Sequence, residues 1–567
     1  MGRRLLILVV LTVFLGPVGF SQAISSDNNL HRIVSQTGQV EVTIPYTDKK
    51  SLEVLTTNVS ILSVKDKIVY ISLSPLTLEW FISQKYDYRI IENVSTKSII
   101  SAANVTQASQ WESYPTYTQY DSIMLSFANL YPSICRFDTI GTSVNGKLIL
   151  ALKISNNVRT EEDQTKVFYT STMHGDETGG FVLMLHLADY LLKNYSSNNR
   201  VKNLVDNLEI WINPLANPDG TYRNGNTISS PVRYNANGYD LNRNFPDPIT
   251  PNTIKQKETL DMIKFMRKHK FSLSVNFHSG SEVVNYPWDR WISKIHADDS
   301  WFNTISRSYA DTVHLYSGPA YMNMLDNGVT RGALWYIVYG GRQDFMTWEL
   351  HGREVTIELD NQFVTPNAQL PLLWQYNYRS LLCYLENALY GIHGLVRNIN
   401  THAPVPAKVF IAFHDKDSSE VYSDTLTGSF VRLISPGSWN LTFSAVGYRD
   451  TTIYNVNVVS GQRTDLNVDM SLLPSKIDNI TSQSPVLLYP NPARNTISAL
   501  LPDIISGKIN VRIINLTGML VSDYNTVTFS GIPLVIDIKS LAAGTYTAIF
   551  SGTSQRRNYR GRFMVIK

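Results

Sequence analysis

Cysteine is scarce in this chain, which has two, Cys135 and Cys383, among 567 residues. This excludes a disulfide framework, so the fold must depend on packing. Each cysteine lies in an apolar context, and the pair could form one disulfide or remain two buried thiols. Neither has the setting of a nucleophile.

Charge of one sign is also lacking, because 50 basic residues face 47 acidic ones and the net charge is +3. This balance excludes a polybasic surface for nucleic acid or an anionic membrane.

Long apolar runs are limited to Leu5–Leu15, which follows Arg3-Arg4 and precedes the small-residue site Ser21-Gln22-Ala23. Residues 1–23 are therefore predicted to be a signal peptide. No later stretch reaches the roughly 20 apolar residues that a transmembrane helix needs. We expect an exported protein without a transmembrane segment.

The length indicates several domains, of which the first, residues 24–108, is predicted to be a small α/β unit. Val40, Val42 and Ile44 alternate as in a strand, and Ser74-Pro75 predicts the start of a helix over Leu76–Tyr88. A compact unit between a signal peptide and a larger domain suggests an inhibitory pro-segment, which would cover a functional site of that domain until it is cut. An ordinary structural domain is the alternative.

Helical and strand patterns alternate over residues 109–389. This predicts an α/β domain with a mixed, mostly parallel sheet flanked by helices, which displays its chemistry at the carboxyl ends of the strands. The predicted helices are Tyr120–Tyr131, Phe181–Lys193, Gln256–His269 and Gln369–Leu389, and the strands are Leu148–Ile154, Val167–Thr172, Leu208–Leu215, Leu273–Phe277 and Val355–Leu359.

Short β-rich runs follow. Residues 390–472 predict a small β-sandwich, 473–483 a polar linker, and 484–567 a second β-sandwich module.

A metal site is suggested by His174-Gly175-Asp176-Glu177, which follows a buried strand. A His and a Glu three residues apart at a strand-to-helix turn can face one point, as zinc ligands do. The four-residue match is weak alone, because His351-Gly352-Arg353-Glu354 repeats it. His278 ends another strand and would supply the third ligand, leaving the fourth zinc position open for water.

The densest polar stretch, Arg233–Pro246, contains two arginines, one aspartate and four asparagines. Arginine suits bidentate binding of a carboxylate, and a second one can stabilise an oxyanion. A polar surface loop is the alternative interpretation.

Six motifs occur in order along the chain: HGDE (174–177), NPDG (217–220), RYNANGYDLNRNFPD (233–247), HSGSEVVNYPWD (278–289), GALWYIVYGGRQD (332–344) and TIEL (356–359). Together they resemble the zinc metallocarboxypeptidases, specifically the regulatory carboxypeptidase N/E/D-like branch. The resemblance covers roughly Tyr117–Leu389 and implies the metallocarboxypeptidase fold, followed by a transthyretin-like β-domain that agrees with residues 390–472.

This resemblance also implies roles for single residues. Glu358 is preferred to Glu349 and Glu354 as general base because it lies in the strand TIEL, 14 residues after Asp344 (358 minus 344), and Glu354 is then expected in a turn. The other implied roles are zinc ligation by His174, Glu177 and His278, orientation of the first histidine by Asp240, oxyanion stabilisation by Arg233, and binding of the terminal carboxylate by Asn242, Arg243 and Tyr336.

For the side-chain pocket, the resemblance assigns Asp289 to the selection of basic C-termini and Gln343 to its neighbour. Arg342 stands where the family usually has Met. If it points inward, it could neutralise Asp289 and broaden specificity; we expect a preference for Lys and Arg.

The C-terminal module holds LYPNPA (488–493), LAAGTY (541–546) and GRFMVIK (561–567). It resembles the C-terminal sorting domain of the type IX secretion system of Bacteroidetes. This implies export through the periplasm by the secretion machinery, with removal of the tail on transit; one more β-sandwich used for adhesion is the alternative.

The sequence thus predicts a secreted or cell-surface, monomeric zinc carboxypeptidase that removes single C-terminal residues, Lys or Arg, from peptides and proteins. The alternatives are a carboxypeptidase of the same fold acting on cell-wall peptides, and a surface binding protein without turnover.

Overall fold

The computed structural model describes residues 27–46, 48–91, 99–250, 254–473, 486–501, 507–552 and 558–567. The predicted signal peptide and the predicted linker from residue 474 onward lie outside these ranges. The chain divides into two compact units, Met1–Leu473 and Pro474–Lys567.

The N-terminal part of the first unit is an antiparallel sheet in the order β2-β3-β1-β4, with a core of its own that includes Val40, Val42 and Ile44. The predicted helix over Leu76–Tyr88 is shorter, because Lys85 adopts a left-handed backbone conformation (φ 55°) that ends it. The elements are α1 (Asp27–Thr37), β1 (Val40–Pro45), α2 (Lys49–Asn58), β2 (Ser60–Lys65), β3 (Ile68–Leu73), α3 (Leu78–Ser83) and β4 (Arg89–Ile90).

The central domain is built on a mixed sheet of eight strands in the order β11-β10-β12-β9-β7-β8-β6-β5, which confirms the predicted fold class. Four of the seven neighbouring pairs are parallel. Its strands are β5 (Cys135–Thr142), β6 (Leu148–Ile154), β7 (Thr165–Ser171), β8 (Leu208–Asn213), β9 (Leu273–His278), β10 (Ser281–Tyr286), β11 (Val329–Arg331) and β12 (Arg353–Asp360).

Helices cover both faces of this sheet, and α6, which follows the HGDE turn, is buried along most of its length. The sequence patterns missed the strands β5, β10 and β11 and the helices α4, α7, α8 and α10–α13. The helical elements are α4 (Val105–Ala108), α5 (Tyr117–Leu130), α6 (Gly179–Asn194), α7 (Asn199–Asn207), α8 (Pro218–Thr221), α9 (Lys257–His269), α10 (Asp299–Ser317), α11 (Met324–Gly328), α12 (Gly332–Trp335), α13 (Arg342–Trp348) and α14 (Leu370–Glu386), with 3-10 turns at Leu241–Arg243, Asn367–Gln369 and Asn387–Leu389.

Parallel pairing explains how the sheet positions the site. The central strands β7, β9 and β12 run in the same direction, so their carboxyl ends meet at one edge. His174 follows the end of β7, and Glu358 of β12 is in register with His278 of β9. Residues far apart in the chain are therefore neighbours.

Two four-stranded sheets follow the central domain, in agreement with the β-rich pattern of residues 390–472. They are joined to it by the buried carboxylate of Asp298, which accepts from Arg353 at 2.7 Å and from Arg432 at 2.7 Å. The strands are β13 (Gly391–Asn398), β14 (Lys408–Ile411), β15 (Val421–Tyr422), β16 (Ser429–Arg432), β17 (Gly437–Ser444), β18 (Thr451–Val458), β19 (Arg463–Asp465) and β20 (Val468–Met470).

The second unit contains a three-stranded and a four-stranded sheet around an apolar core. Its strands are β21 (Leu487–Tyr489), β22 (Thr496–Leu500), β23 (Gly507–Asn515), β24 (Leu520–Thr528), β25 (Leu534–Asp537), β26 (Gly544–Gly552) and β27 (Asn558–Val565).

Cys135 and Cys383 are free thiols and form no disulfide; Cys135 is buried as expected, whereas Cys383 is only half-buried. None of the helices in the described ranges has both the length and the apolar character that a bilayer-spanning segment needs.

Candidate metal centre and substrate cleft

His174, Glu177 and His278 converge at the carboxyl edge of the sheet, with their ligand atoms within 4.8 Å of one another. The Glu177 carboxylate lies 2.7 Å from Nδ1 of His174 through Oε1 and 2.7 Å from Nδ1 of His278 through Oε2. All three side chains are buried. Both imidazoles thus direct the same nitrogen, Nδ1, to one point.

The remaining imidazole nitrogens are held by polar partners. Nε2 of His174 lies 3.0 Å from Oδ1 of Asp240, and Nε2 of His278 lies 2.7 Å from the Asn276 carboxamide. Oδ1 of Asn276 has no partner among the described residues, and a half-turn of this amide lets it accept the Nε2 proton. Each Nδ1 is then left with a free lone pair, as metal ligation requires.

The electrostatics agree with a cation at this point. Burial opposes ionisation of Glu177, yet the two histidines hold its pKa well below its usual range. Burial alone would lower the pKa of His174, but the carboxylates of Glu177 and Asp240 outweigh that effect and raise it. Two imidazoles and a carboxylate, enclosed and oriented from behind, fit a zinc ion with an open fourth position.

Glu358 and Arg233 line the same cavity as the three ligands. Oε2 of Glu358 is buried without a hydrogen-bond partner in the part of the chain that the structure describes. Burial, followed by the nearby charge of Glu177, raises the pKa of Glu358 well above its usual value. Arg233 donates to Glu177 and to Asp240, each at 3.0 Å.

The residues that the resemblance assigns to the terminal carboxylate also line this cavity: Asn242, Arg243 and Tyr336. Asp240 positions the loop that carries two of them, because its Oδ1 accepts the Asn242 main-chain N–H at 2.9 Å. The same aspartate therefore orients His174 and fixes the start of the turn Leu241–Arg243.

Asp289 also lines this cavity and is buried. It accepts from Nε2 of Gln343 at 2.9 Å, and burial raises its pKa to about 7. Only glycine fits at position 332, since a Cβ there would lie 1.7 Å from Oδ1 of Asp289. This close approach leaves the carboxylate without a bulky side chain above it.

Arg342 and Glu354 form a buried ion pair with each other. Glu354 was expected in a turn, but it is fully buried in β12, where it pairs with Arg342 at 2.8 Å. Arg342 donates also to Ser274 at 2.9 Å. The guanidinium is therefore bound to Glu354 rather than to Asp289.

The N-terminal sheet lies over the cleft, which is where the pro-segment hypothesis for residues 24–108 would place it. The register of β2 shifts between Ile61 and Ser63, and the side chain of Leu62, at this irregularity, lines the metal cavity. The Ile61 carbonyl accepts from Arg243 at 3.4 Å, and the Ser60 hydroxyl donates to Asp240 at 2.7 Å. The enclosed cavity measures about 30 Å³, which holds one or two water molecules.

A comparison with protein families matches residues 120–380 to the zinc carboxypeptidases and residues 487–565 to a secretion system C-terminal sorting domain. The second match indicates that the protein is exported.

Among curated proteins, carboxypeptidase D of Homo sapiens is 33% identical over 414 residues, 68% of this chain and 29% of that protein. The chain thus spans less than a third of the length of carboxypeptidase D. Carboxypeptidase M of Mus musculus is 32% identical, with coverage of 58% of this chain and 77% of its own length.

Among solved structures, a carboxypeptidase A from Helicoverpa armigera superimposes with a TM-score of 0.50 at 16% identity, covering 62% of this chain and 98% of its own. That likeness shows the fold. Together with the identity and coverage of carboxypeptidase M, these matches show that the chain belongs to the zinc carboxypeptidase family.

Proposed function

We propose that this protein is an exported, zinc-dependent metallocarboxypeptidase that removes single residues from the C-termini of peptides and proteins. The observation that supports it most is the meeting of a metal-ligand triad, the Glu358 carboxylate and two arginines in one cavity. All of these side chains come from one chain, so we propose a monomer.

Zinc, held by His174, Glu177 and His278, would polarise the scissile carbonyl and acidify the attacking water. Glu358 takes the proton of that water on its free Oε2 and delivers it to the nitrogen of the leaving amine. Arg233 donates to the oxygen on which negative charge develops.

Exopeptidase action follows from the position of Arg243 in the same small cavity as the ligands. A terminal carboxylate bound by Arg243, Asn242 and Tyr336 leaves one peptide bond within reach of the ligand triad. The bond cleaved is therefore the last one.

A preference for Lys or Arg at the terminus rests on Asp289. Its carboxylate is buried and accepts a hydrogen bond from the Gln343 side chain. A buried carboxylate is strongly stabilised by a cationic side chain. Because Arg342 is paired with Glu354, it does not neutralise Asp289, and the substrate side chain can supply the positive charge.

We further propose that residues 24–108 form a pro-segment, so that the protein is made as a zymogen. Two contacts support this proposal. Leu62 lines the metal cavity, and the Ile61 carbonyl accepts a hydrogen bond from Arg243, so both occupy space that a substrate would need. Residues 1–23 would be a signal peptide, 390–472 a transthyretin-like domain, and the sorting domain a tail removed on transit.

The test uses the full chain with a specific protease site inserted within residues 92–98. Peptides ending in Lys, Arg, Phe or a D-residue are incubated with it before and after cleavage, with and without a zinc chelator, and products are read by mass spectrometry. We expect chelator-sensitive release of one Lys or Arg after cleavage only. Release of D-residues alone would favour cell-wall peptides, and absence of any release would favour a binding protein.

A further inference from the structure

The side chain of Gln39, the residue just before β1 of the N-terminal sheet, makes two buried hydrogen bonds to the catalytic domain. Its Nε2 donates to Oδ2 of Asp176 at 2.9 Å, and its Oε1 accepts the main-chain N–H of Arg233 at 2.8 Å. Gln39 and Asp176 are both buried. The carboxamide of Gln39 therefore bridges the Asp176 carboxylate and the Arg233 main-chain N–H.

A carboxamide of this kind offers the same groups as a peptide backbone. In an extended strand, the N–H and the C=O of one residue point to the same side. An extended substrate residue can thus give its N–H to Asp176 and receive the Arg233 N–H on its carbonyl. The second oxygen of Asp176, Oδ1, is buried without a partner in the described ranges, so the carboxylate has further accepting capacity.

The position fits substrate that lies before the scissile bond. Asp176 is next to the ligand Glu177, and it lines a separate cavity of about 560 Å³. Phe363 lines both this cavity and the one that holds the metal ligands. A chain whose C-terminus is bound by Arg243 would pass the ligands and continue into this space.

We propose that Asp176 and the main-chain amide of Arg233 form a subsite for the backbone of one extended substrate residue upstream of the scissile bond, and that Gln39 occupies it in the intact chain. The proposal rests on the proposed function for the direction of the substrate. Asp176 is then a binding residue for peptide backbone, independent of the side chains in the sequence being cleaved.

The test uses the full chain cleaved at the inserted protease site. Four ligands are compared: acetyl-Ala-Ala-Arg, its two analogues in which an ester oxygen replaces the N–H of the first or the second upstream residue, and a simple acyl-Arg without upstream amides. Both kcat/KM and, in the Glu358→Gln background without turnover, the dissociation constant are measured. Binding in that background separates failure of the subsite from failure of the proposed activity.

We expect one of the two ester analogues to bind roughly 10-fold more weakly than the parent peptide, because it cannot make the hydrogen bond to the charged carboxylate. Asp176→Ala should weaken binding of the parent peptide by the same factor. It should not weaken binding of that ester further, and it should have little effect on acyl-Arg. Asp176→Asn should restore part of the binding through its amide oxygen. Equal binding of the parent and both esters by the unsubstituted protein would overturn the proposal. So would an Asp176→Ala effect on acyl-Arg as large as that on the parent.

Discussion

Arg342 donates to Glu354 across 2.8 Å, and both side chains are fully buried. The guanidinium also lies 5.0 Å from the centre of the Phe168 ring. An arginine at this position could have filled the pocket and cancelled the charge of Asp289. Its partner on β12 explains why it does not.

Breaking this pair should destabilise the protein without changing specificity. Arg342→Met leaves the Glu354 carboxylate buried and uncompensated, which costs about 3–5 kcal/mol. Replacing both residues, Arg342→Met with Glu354→Leu, should recover most of that loss. Urea unfolding of the two single variants and the double variant measures the coupling; additive effects would show that the pair is unimportant.

The proposed preference for basic termini should depend on pH through Asp289, whose pKa burial raises to about 7. A cationic side chain binds the ionised carboxylate, so affinity is low below that pKa and increases above it. The KM for an Arg-terminated peptide should fall between about pH 6 and about pH 8, one unit on either side of the pKa. The same peptide ending in Ala is the control, and Asp289→Asn should remove the difference in pH dependence between the two.

Weakening the contact between the N-terminal sheet and the central domain should raise the peptidase activity of the uncleaved chain. Gln39→Ala removes two buried hydrogen bonds, which corresponds to roughly 10-fold or more in the open population. Gln36→Ala is the matched control, because Gln36 is exposed on α1. If both variants remain as inactive as the parent while the cleaved chain is active, Gln39 contributes nothing to closure.

If Asn242, Arg243 and Tyr336 bind the terminal carboxylate as proposed, the protein should strictly require a substrate with a free C-terminus. Amidation removes the charge that Arg243 binds, and hydrogen bonds to charged groups contribute about 1.5–3 kcal/mol. The kcat/KM of an amidated peptide should therefore be about 10- to 100-fold lower than that of the free acid. Equal cleavage of the two, followed by mass spectrometry, would exclude the proposed role of Arg243.

The parts of the site that the sequence predicted are those built from consecutive residues at strand ends. His174, Glu177 and His278 could be placed because each lies at or just after a strand of one parallel set, where position along the chain determines position in space. Asn276 could have been found in the same way, since residues two apart on β9 share a face.

Other parts depend on contacts between distant segments, which no local pattern contains. Leu62 reaches the cleft only because an irregularity in β2 coincides with the docking of the whole N-terminal sheet. Glu354 looked like a turn residue from its H-x-x-E context, yet pairing of β12 with β9 buries it. Burial of this kind is set by the sheet, not by the four residues of the motif.

The most direct test of the proposed mechanism is the Glu358→Gln variant of the cleaved protein, with zinc content and peptide turnover measured on the same sample. Glutamine keeps the size of the side chain but cannot take the proton from water, and general base catalysis contributes about 10²–10⁴ in rate. We predict one zinc per chain, as in the parent, and a loss of turnover of that order. Full turnover with zinc retained would contradict the assignment of Glu358 and, with it, the proposed mechanism.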